Sequence, residues 1–235
     1  MIPDPELSIW EHSEGLTRLV RRRALDLEPE MDCAAQAAEI LAGAGLPPGS
    51  RLLDIGCGAG HFIHSLRKRG LALEYSGLDS SPSAIAAGRE AYRALSLDPD
   101  LLRLGSMEDL AGETVDAALF MNVLSFSPDY RRPLDRAAAC GAKVILVRDN
   151  FGPETVVSWE EDGYLDPGWN HLKGYWNRWS ADEMAGFLGD LGFDGEFIED
   201  RRTGGEMELV VGKPYHWRFL LAKRRPGTAD GMAAR

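Results

Sequence analysis

The stretch LLDIGCGAGHF, residues 52–62, places three glycines within five positions, after an apolar run and before a segment with helical spacing. Glycine adopts positive φ easily and lets other groups approach the main chain closely. The first turn of a following helix offers free N–H groups. We therefore expect a strand, a glycine loop and a helix whose junction binds a ligand with a carboxylate, a ribose or a phosphate.

The spacing of the glycines distinguishes between nucleotide-binding loops. The dinucleotide fingerprint is GxGxxG, whereas here the position of its last glycine is His61, and Gly60 comes one residue early. This spacing disfavours NAD as the ligand. A tight turn without any ligand is the alternative interpretation of the loop.

Apolar runs of strand length alternate with helical patterns around this loop, which is typical of a parallel sheet covered by helices on both faces. The predicted strands are 51–55, 73–79, 101–105, 115–121 and 143–149. Ser180, with Glu183 three residues later, has the spacing of a capping box at the start of a last helix. The strand-like segments 193–202 and 215–225 follow it, and we expect them to pair antiparallel.

Composition limits the class of protein. The chain has 235 residues, of which 44% are hydrophobic, and no apolar run near the roughly 20 residues that a bilayer span requires. We expect one soluble domain, as a monomer or homodimer, with no membrane partner. The formal net charge of -11 disfavours nucleic acid as a partner, because phosphate binding requires a basic face.

Cysteine usage and the first residues indicate the compartment. The chain has three cysteines, Cys33, Cys57 and Cys140. Because their number is odd and no two form a CxxC pair, we interpret them as reduced thiols. The segment MIPDPELSIW, residues 1–10, lacks the basic start and apolar stretch of a signal peptide, which predicts a cytoplasmic protein. No HxxE or paired-carboxylate cluster indicates a metal site, and no metal is expected.

The pattern Asp54-x-Gly56-x-Gly58-x-Gly60 resembles the first motif of the Rossmann-like, class I S-adenosylmethionine-dependent methyltransferases. The resemblance implies an α/β fold with a seven-stranded, mostly parallel sheet, helices on both faces and a C-terminal antiparallel hairpin strand. It implies S-adenosylmethionine as the cofactor and S-adenosylhomocysteine as the product. Asp79, at the end of the second predicted strand, stands where this family keeps the acid that accepts both ribose hydroxyls.

Further motifs extend the resemblance to residue 126. LGSMEDL is similar to the adenine-side motif, although many relatives have Asp where Ser106 stands, and VDAALFMNVLSF is similar to the motif of the fourth strand. The other positions that the resemblance assigns to the cofactor are Cys57, Ser80, Ser106, Met107, Glu108, Asn122 and Val123. Each motif falls at the carboxyl end of a predicted strand, where open parallel sheets bind ligands.

Some of these residues also have interpretations that need no ligand. Asp79 can cap the helix that follows it, and the two roles can coexist. Cys57 can be a bystander in the loop. Asn122 can close a turn.

Residues 150–179 form a long connection rich in aromatic residues, which we interpret as a lid or pocket wall around the acceptor. A satellite core that braces the sheet edge is the alternative. The candidate acceptor-binding residues are Trp10, His61, Trp159, Trp169 and Tyr175. His171 is the preferred general base, with Tyr164 as a weaker candidate, although a histidine bonded within a loop is an open alternative.

The chain is divided accordingly into a leader helix or lid (1–30), the cofactor-binding core (31–149), the aromatic insertion (150–179), a helix with antiparallel strands that completes the same domain (180–225) and a disordered tail (226–235). The leader can fold over the cofactor, so that Trp10 and His12 touch substrate. Alternatively, it forms an amphipathic helix packed on the domain, which we favour.

Three classes of function remain open. The first is methyl transfer from S-adenosylmethionine, by in-line displacement, to an oxygen or nitrogen of a small acceptor such as a sugar, a natural product or a metabolite. The second is methylation of RNA or protein, which acidity and the lack of an added RNA-binding module disfavour. The third is a module that binds the cofactor without transferring its methyl group.

Overall fold

The computed structural model describes residues 8–108, 110, 113–163 and 165–227. Most of the predicted tail (226–235), from residue 228 onward, lies outside this range. Within it the helices are α1 (Glu14–Ala24), α2 (Asp32–Ala42), α3 (Phe62–Lys68), α4 (Pro82–Ala94), α5 (Arg131–Ala139) and α6 (Ala181–Asp190).

The strands of the core are β1 (Arg51–Ile55), β2 (Glu74–Asp79), β3 (Leu102–Leu104), β4 (Ala117–Met121) and β5 (Val144–Gly152). After them come β6 (Trp159–Glu161), β7 (Lys173–Tyr175), β8 (Trp179–Ser180), β9 (Phe193–Glu199), β10 (Glu208–Val210), β11 (Lys213–Tyr215) and β12 (Trp217–Arg224). The five predicted core strands are all present, and β5 extends three residues beyond its predicted end.

The main sheet has the order β3-β2-β1-β4-β5-β12-β9. Its first five strands are parallel to one another, and β12 runs antiparallel to both β5 and β9. The short β8 pairs with the end of β5. This topology confirms the predicted fold class and the antiparallel pair at its C-terminal edge.

Alternating side chains of the central strands serve two cores, as expected for a sheet covered on both faces. Leu52 packs with α2, α3 and α4, whereas Leu53 and Ile55 pack with α5 and α6. All three leucine and isoleucine side chains are fully buried. The carboxyl ends of β1, β2 and β4 therefore reach one rim of the sheet together.

The segments after the core strands contain the predicted cap at Ser180 and several elements that were not predicted. Ser81 caps α4, with Pro82 at the first helical position, and Ser180 Oγ accepts a hydrogen bond from the backbone of Glu183 (3.3 Å). The hairpin of β10 and β11 was not predicted. Its strands are three residues long and half exposed, so they carry little apolar periodicity.

Helix α4 lies so close to the glycine loop that its Gly88 has no room for a side chain. A Cβ atom there would lie 2.6 Å from the carbonyl oxygen of Ala59 and 2.6 Å from Cδ1 of Leu102. The backbone oxygen belongs to the loop itself. The absence of a side chain at Gly88 therefore allows α4 to pack this closely against the loop.

Gly88→Ala is expected to lower the free energy of unfolding by about 1 to 3 kcal/mol, because the new methyl group overpacks a helix interface. Gly186→Ala in α6 is the matched control. Gly186 is exposed and has no atom within 4 Å of its would-be Cβ. The control should raise stability by about 0.4 to 1 kcal/mol, since alanine restricts the unfolded chain. Urea unfolding measures both; equal effects would contradict the proposed close packing.

Candidate functional site

The glycine loop between β1 and α3 has positive φ at all three glycines: 76° at Gly56, 56° at Gly58 and 78° at Gly60. The two outer glycines are packed by the protein itself. A Cβ on Gly56 would lie 2.5 Å from Cγ2 of Val123, and a Cβ on Gly60 would lie 2.5 Å from Cδ2 of Leu102. Only Gly58 has no atom within 4 Å at that position. The open face of the loop is therefore at Gly58.

Asp79, at the end of β2, ties this loop to the start of α4. Its Oδ2 accepts a hydrogen bond from the backbone N–H of Gly58 (2.7 Å), and its Oδ1 accepts one from Ser81 (2.9 Å). Burial raises the pKa of this carboxyl, while the two backbone donors oppose that rise. Each carboxylate oxygen keeps a lone pair for another donor. Asp79 thus holds the local backbone and can still accept hydroxyl groups.

Asp54, in β1, is a second acid beside the loop, and its side chain is buried. Tyr75 donates a hydrogen bond from its hydroxyl to Oδ2 of Asp54 (2.8 Å). Within the described residues Oδ1 has no donor. Burial raises the pKa of Asp54 to about 7, to which the nearby Asp79 also contributes. A cationic group that reached Oδ1 would favour the ionised form.

Two clefts open beside the loop. The first, which we call the rim cleft, has about 320 Å³ of empty space, including open solvent, and its lining includes Met31, Asp54, Gly56, His61, Met121 and Asn122. The second, the outer cleft, has about 280 Å³ and lies between the α1–α2 connection and α3, where its lining includes Arg23, Glu30, Met31, His61, His64 and Lys68. Met31 and His61 border both clefts.

Asn122 follows β4 in the left-handed conformation, with φ of 57°. Its backbone N–H donates to the carbonyl oxygen of Arg148 (2.7 Å), and its side-chain oxygen accepts a hydrogen bond from the Arg148 guanidinium. Arg148 is buried and pairs with the fully buried Asp200 (2.7 Å). Asn122 therefore closes a turn and lines the rim cleft at the same time.

The sequence reasoning missed Arg148 and Asp200. The available signal was a charged residue within the apolar run KVILVRD, residues 143–149. The guanidinium of Arg148 also lies 4.2 Å from the centre of the Trp217 ring. A buried arginine with a carboxylate, an amide and an aromatic face as partners is positioned rigidly.

The adenine-side segment forms a turn after β3. Ser106 Oγ accepts a hydrogen bond from the backbone of Glu108 (3.2 Å), and the carboxylate of Glu108 lies 3.0 Å from the guanidinium of Arg132. Met107 packs against the core formed with α5 and α6. Ser80 is half-buried beside Asp79. No contact in the structure assigns these residues to a ligand.

Cys57 is among the residues that line the rim cleft, and its thiol packs against Gly77 of β2. A Cβ on Gly77 would lie 2.7 Å from Sγ of Cys57. Burial raises the pKa of this thiol well above its usual range. The side chain packs the loop against β2.

The leader lies over the rim and is joined to the insertion. A 3-10 turn, Ile9–Glu11, precedes α1, and Ser81 donates a hydrogen bond from Oγ to the carboxylate of Glu11. The rings of His12 and Trp169 stack with their centres 3.6 Å apart. Asp166 accepts from the backbone of Glu14 through Oδ2 (2.9 Å). The two segments thus form one cover next to Asp79.

Helix α1 itself packs on the domain, with Ala24 and Val20 contacting a small core that includes Ala59 and Ala91. Helix α1 thus packs on the domain, as in the favoured interpretation, while contact of the preceding turn with a cofactor or substrate stays a prediction. Trp10 belongs to the cover, since its ring meets that of Phe126 edge-on at 4.8 Å.

The aromatic residues of the insertion divide into two groups. Trp176 and Trp179 are buried, with exposed fractions of 8% and 1%. Trp159 and Trp169 are exposed by 55% and 38%, and Trp159 packs on Tyr175 with ring centres 4.5 Å apart. The inner group matches the satellite core, while the outer group remains available for contact with a ligand.

Of the two predicted catalytic residues, the structure describes only His171. His171 is exposed in the turn between β6 and β7, outside both clefts. Tyr164 lies outside the described residues.

The part of the chain that the structure describes lacks two other features. It contains no cluster of three or more His, Cys, Asp or Glu side chains placed to hold a metal ion. None of its helices combines the length and the apolar character that crossing a membrane requires.

Comparisons with known proteins agree with this geometry. A family profile described as a methyltransferase domain matches residues 53–142. The ubiquinone biosynthesis O-methyltransferase of Xanthomonas axonopodis pv. citri (strain 306) is 33% identical over 184 residues, which cover 73% of this chain and 70% of that protein. The protein of the same name from Xanthomonas campestris pv. campestris (strain B100) is 33% identical over 98 residues, so the chain spans only 38% of that relative's length.

A solved structure shows the same fold. Magnesium protoporphyrin IX methyltransferase (ChlM) from Synechocystis PCC 6803, with bound SAH, has a TM-score of 0.58 and 19% identity to this chain. The similarity covers 89% of this chain and 95% of that one, and at this identity it concerns the fold alone. Given the relative from Xanthomonas axonopodis, matched over most of both chains, the chain belongs to the class I, Rossmann-like family of S-adenosylmethionine-dependent methyltransferases.

Proposed function

We propose that the protein transfers a methyl group from S-adenosylmethionine to an oxygen or nitrogen of a small molecule by in-line displacement. The observation that carries the proposal is the rim: Asp79 accepts a hydrogen bond from Gly58, the open position of the glycine loop, and the same loop contributes Gly56 to the rim cleft, which Asp54 also lines. The relatives named O-methyltransferases favour oxygen as the acceptor atom. The chain's acidity favours a small acceptor over RNA.

The residues at the rim fit the proposed cofactor. The Asp79 carboxylate has lone pairs for the two ribose hydroxyls, and the free Oδ1 of Asp54 suits an α-ammonium group. Asn122 borders the same cleft, and Val123 packs against Gly56 of the loop. Ser80 would lie toward the adenine, as would the turn of Ser106, Met107 and Glu108. Bound there, the cofactor supplies a methyl group already activated by a sulfonium.

The acceptor would lie beneath the cover formed by the leader and the insertion. Trp10, Trp169 and the packed pair of Trp159 and Tyr175 offer aromatic faces for it. Such a cover keeps water out of the site, and this exclusion favours displacement of the methyl group. The predicted roles of His171 and Tyr164 as proton acceptors stay predictions. We also retain a cytoplasmic location, a monomer or homodimer, no bound metal and the stated division of the chain as parts of this proposal.

The proposal predicts a labelled small-molecule product. The protein, incubated with methyl-labelled S-adenosylmethionine and separate pools of phenols, amines, transfer RNA and protein, should label phenols or amines. If label appeared only in RNA or protein, the acceptor would be that macromolecule and not a small molecule. Binding of S-adenosylhomocysteine without any labelled product would indicate a binding module. Once an acceptor is known, turnover of His171→Ala decides the role of His171.

Asp79→Ala is expected to weaken S-adenosylhomocysteine binding by about 1 to 3 kcal/mol, because hydrogen bonds to a carboxylate are lost. Asp98→Ala is the matched control. Asp98 also accepts a backbone hydrogen bond, from Asp100 (2.9 Å), but lies away from the rim. Calorimetry measures affinity, and thermal unfolding reports folding. Equal affinity of wild type and Asp79→Ala would leave Asp79 with a structural role only.

The affinity for S-adenosylhomocysteine should rise with pH up to about pH 7. The pKa of Asp54 is raised to about 7 by burial, so at lower pH the acid is largely neutral and binding of an ammonium must release a proton. Above about pH 7 the carboxylate is already ionised, and the affinity should level off. The measurement is calorimetry in buffers of different ionisation enthalpy.

Asp54→Asn tests the origin of that slope. The amide does not titrate, so this variant should bind more weakly and lose most of the pH dependence. An unchanged slope would assign the released proton to another group, such as Asp79, whose pKa is also raised.

A further inference from the structure

We propose that His61 binds the α-carboxylate at the methionine end of the cofactor through its Nδ1–H group. The inference rests on the proposed function and deepens it by adding a recognition residue. In this arrangement Asp54 binds the α-ammonium group and His61 binds the α-carboxylate, both from the rim cleft.

The first support is an unsatisfied polar atom. Nδ1 of His61 is buried and has no hydrogen-bond partner among the described residues. Leaving a buried polar group unpaired is energetically costly. A ligand in the rim cleft, which His61 lines, can supply the missing partner.

The second support is position. His61 directly follows Gly60 and borders the rim cleft together with Asp54 and Asn122. A ligand whose ammonium contacts the free Oδ1 of Asp54 has its carboxylate one carbon atom away. The imidazole lines the same cleft and can donate to that carboxylate.

Asn122 is the competing donor in the same cleft. Its Oδ1 accepts from Arg148, which fixes the amide and leaves Nδ2 as a possible donor. Nδ2 is not, however, a buried atom without a partner. Only the imidazole gains its first hydrogen bond when the ligand binds.

The protonation state of His61 in the ligand-free protein suits hydrogen-bond donation better than base catalysis. Burial, with Arg23 and His64 nearby, lowers the pKa of His61 to about 4, so the ring is neutral at physiological pH. A base with so low a pKa is poorly matched to removing a proton from a hydroxyl or ammonium acceptor. A neutral imidazole can still donate one N–H.

Two ligands separate recognition of the carboxylate from a general effect on the site. S-adenosylhomocysteine carries the carboxylate, and decarboxylated S-adenosylmethionine lacks it but keeps the amine and the nucleoside. For His61→Leu we expect the dissociation constant of S-adenosylhomocysteine to rise about 10- to 100-fold, the value of a charge-assisted hydrogen bond. The affinity for the decarboxylated ligand should not change. His61→Asn, which keeps an N–H donor, should recover part of the loss.

His64→Leu is the matched control. His64 borders only the outer cleft, and its Nε2 already lies 2.8 Å from the carbonyl oxygen of Ala24. This variant should bind both ligands like the wild type. Thermal unfolding of each variant, followed by circular dichroism, establishes that it is folded.

The outcomes distinguish this inference from the proposed function. Equal losses for both ligands in His61→Leu, or no loss for either, would overturn the role of His61 while cofactor binding stands. If wild-type protein binds neither ligand, the proposed function itself fails. A difference confined to the ligand with the carboxylate supports the assignment.

Discussion

A single carboxylate holds together the parts of the rim. Asp79 accepts one backbone hydrogen bond from the glycine loop after β1 and another from the start of α4 after β2. Two connections that are far apart in sequence are thereby fixed at one point. Because α4 also touches the loop where Gly88 and Ala59 meet, the loop is fixed from two directions, and its open face at Gly58 is preorganised. Preorganisation reduces the entropy that a ligand must lose on binding.

The glycines of the loop serve the fold before they serve a ligand. Val123 occupies the space beside Gly56, and Leu102 and Tyr92 occupy the space beside Gly60. The chain therefore needs glycine at both positions to pack its own strands and helices. The motif is specific because one short segment must satisfy the positive φ values, the internal packing and the open face together.

The fold was predictable because its determinants are local. Strand-length apolar runs, helical spacing and the caps at Ser81 and Ser180 each reside in a few consecutive residues. Asp54 and Asp79 were found through the resemblance to the family motifs, and both lie toward the carboxyl ends of parallel strands, where such sheets bind ligands. The contact of Glu11 with Ser81, the stack of His12 on Trp169 and the pair of Arg148 with Asp200 join distant segments, so no local pattern indicates them.

The position of the leader has a practical consequence for work with this protein. Ser81 donates a hydrogen bond to Glu11, so the leader passes beside the carboxyl end of β2. Strand β12 runs antiparallel to β5 and ends opposite Val144, where β5 begins. The chain thus leaves the sheet at the edge remote from the rim. Affinity tags, fluorescent fusions and surface tethers belong after β12, where they leave the mouth of the site clear.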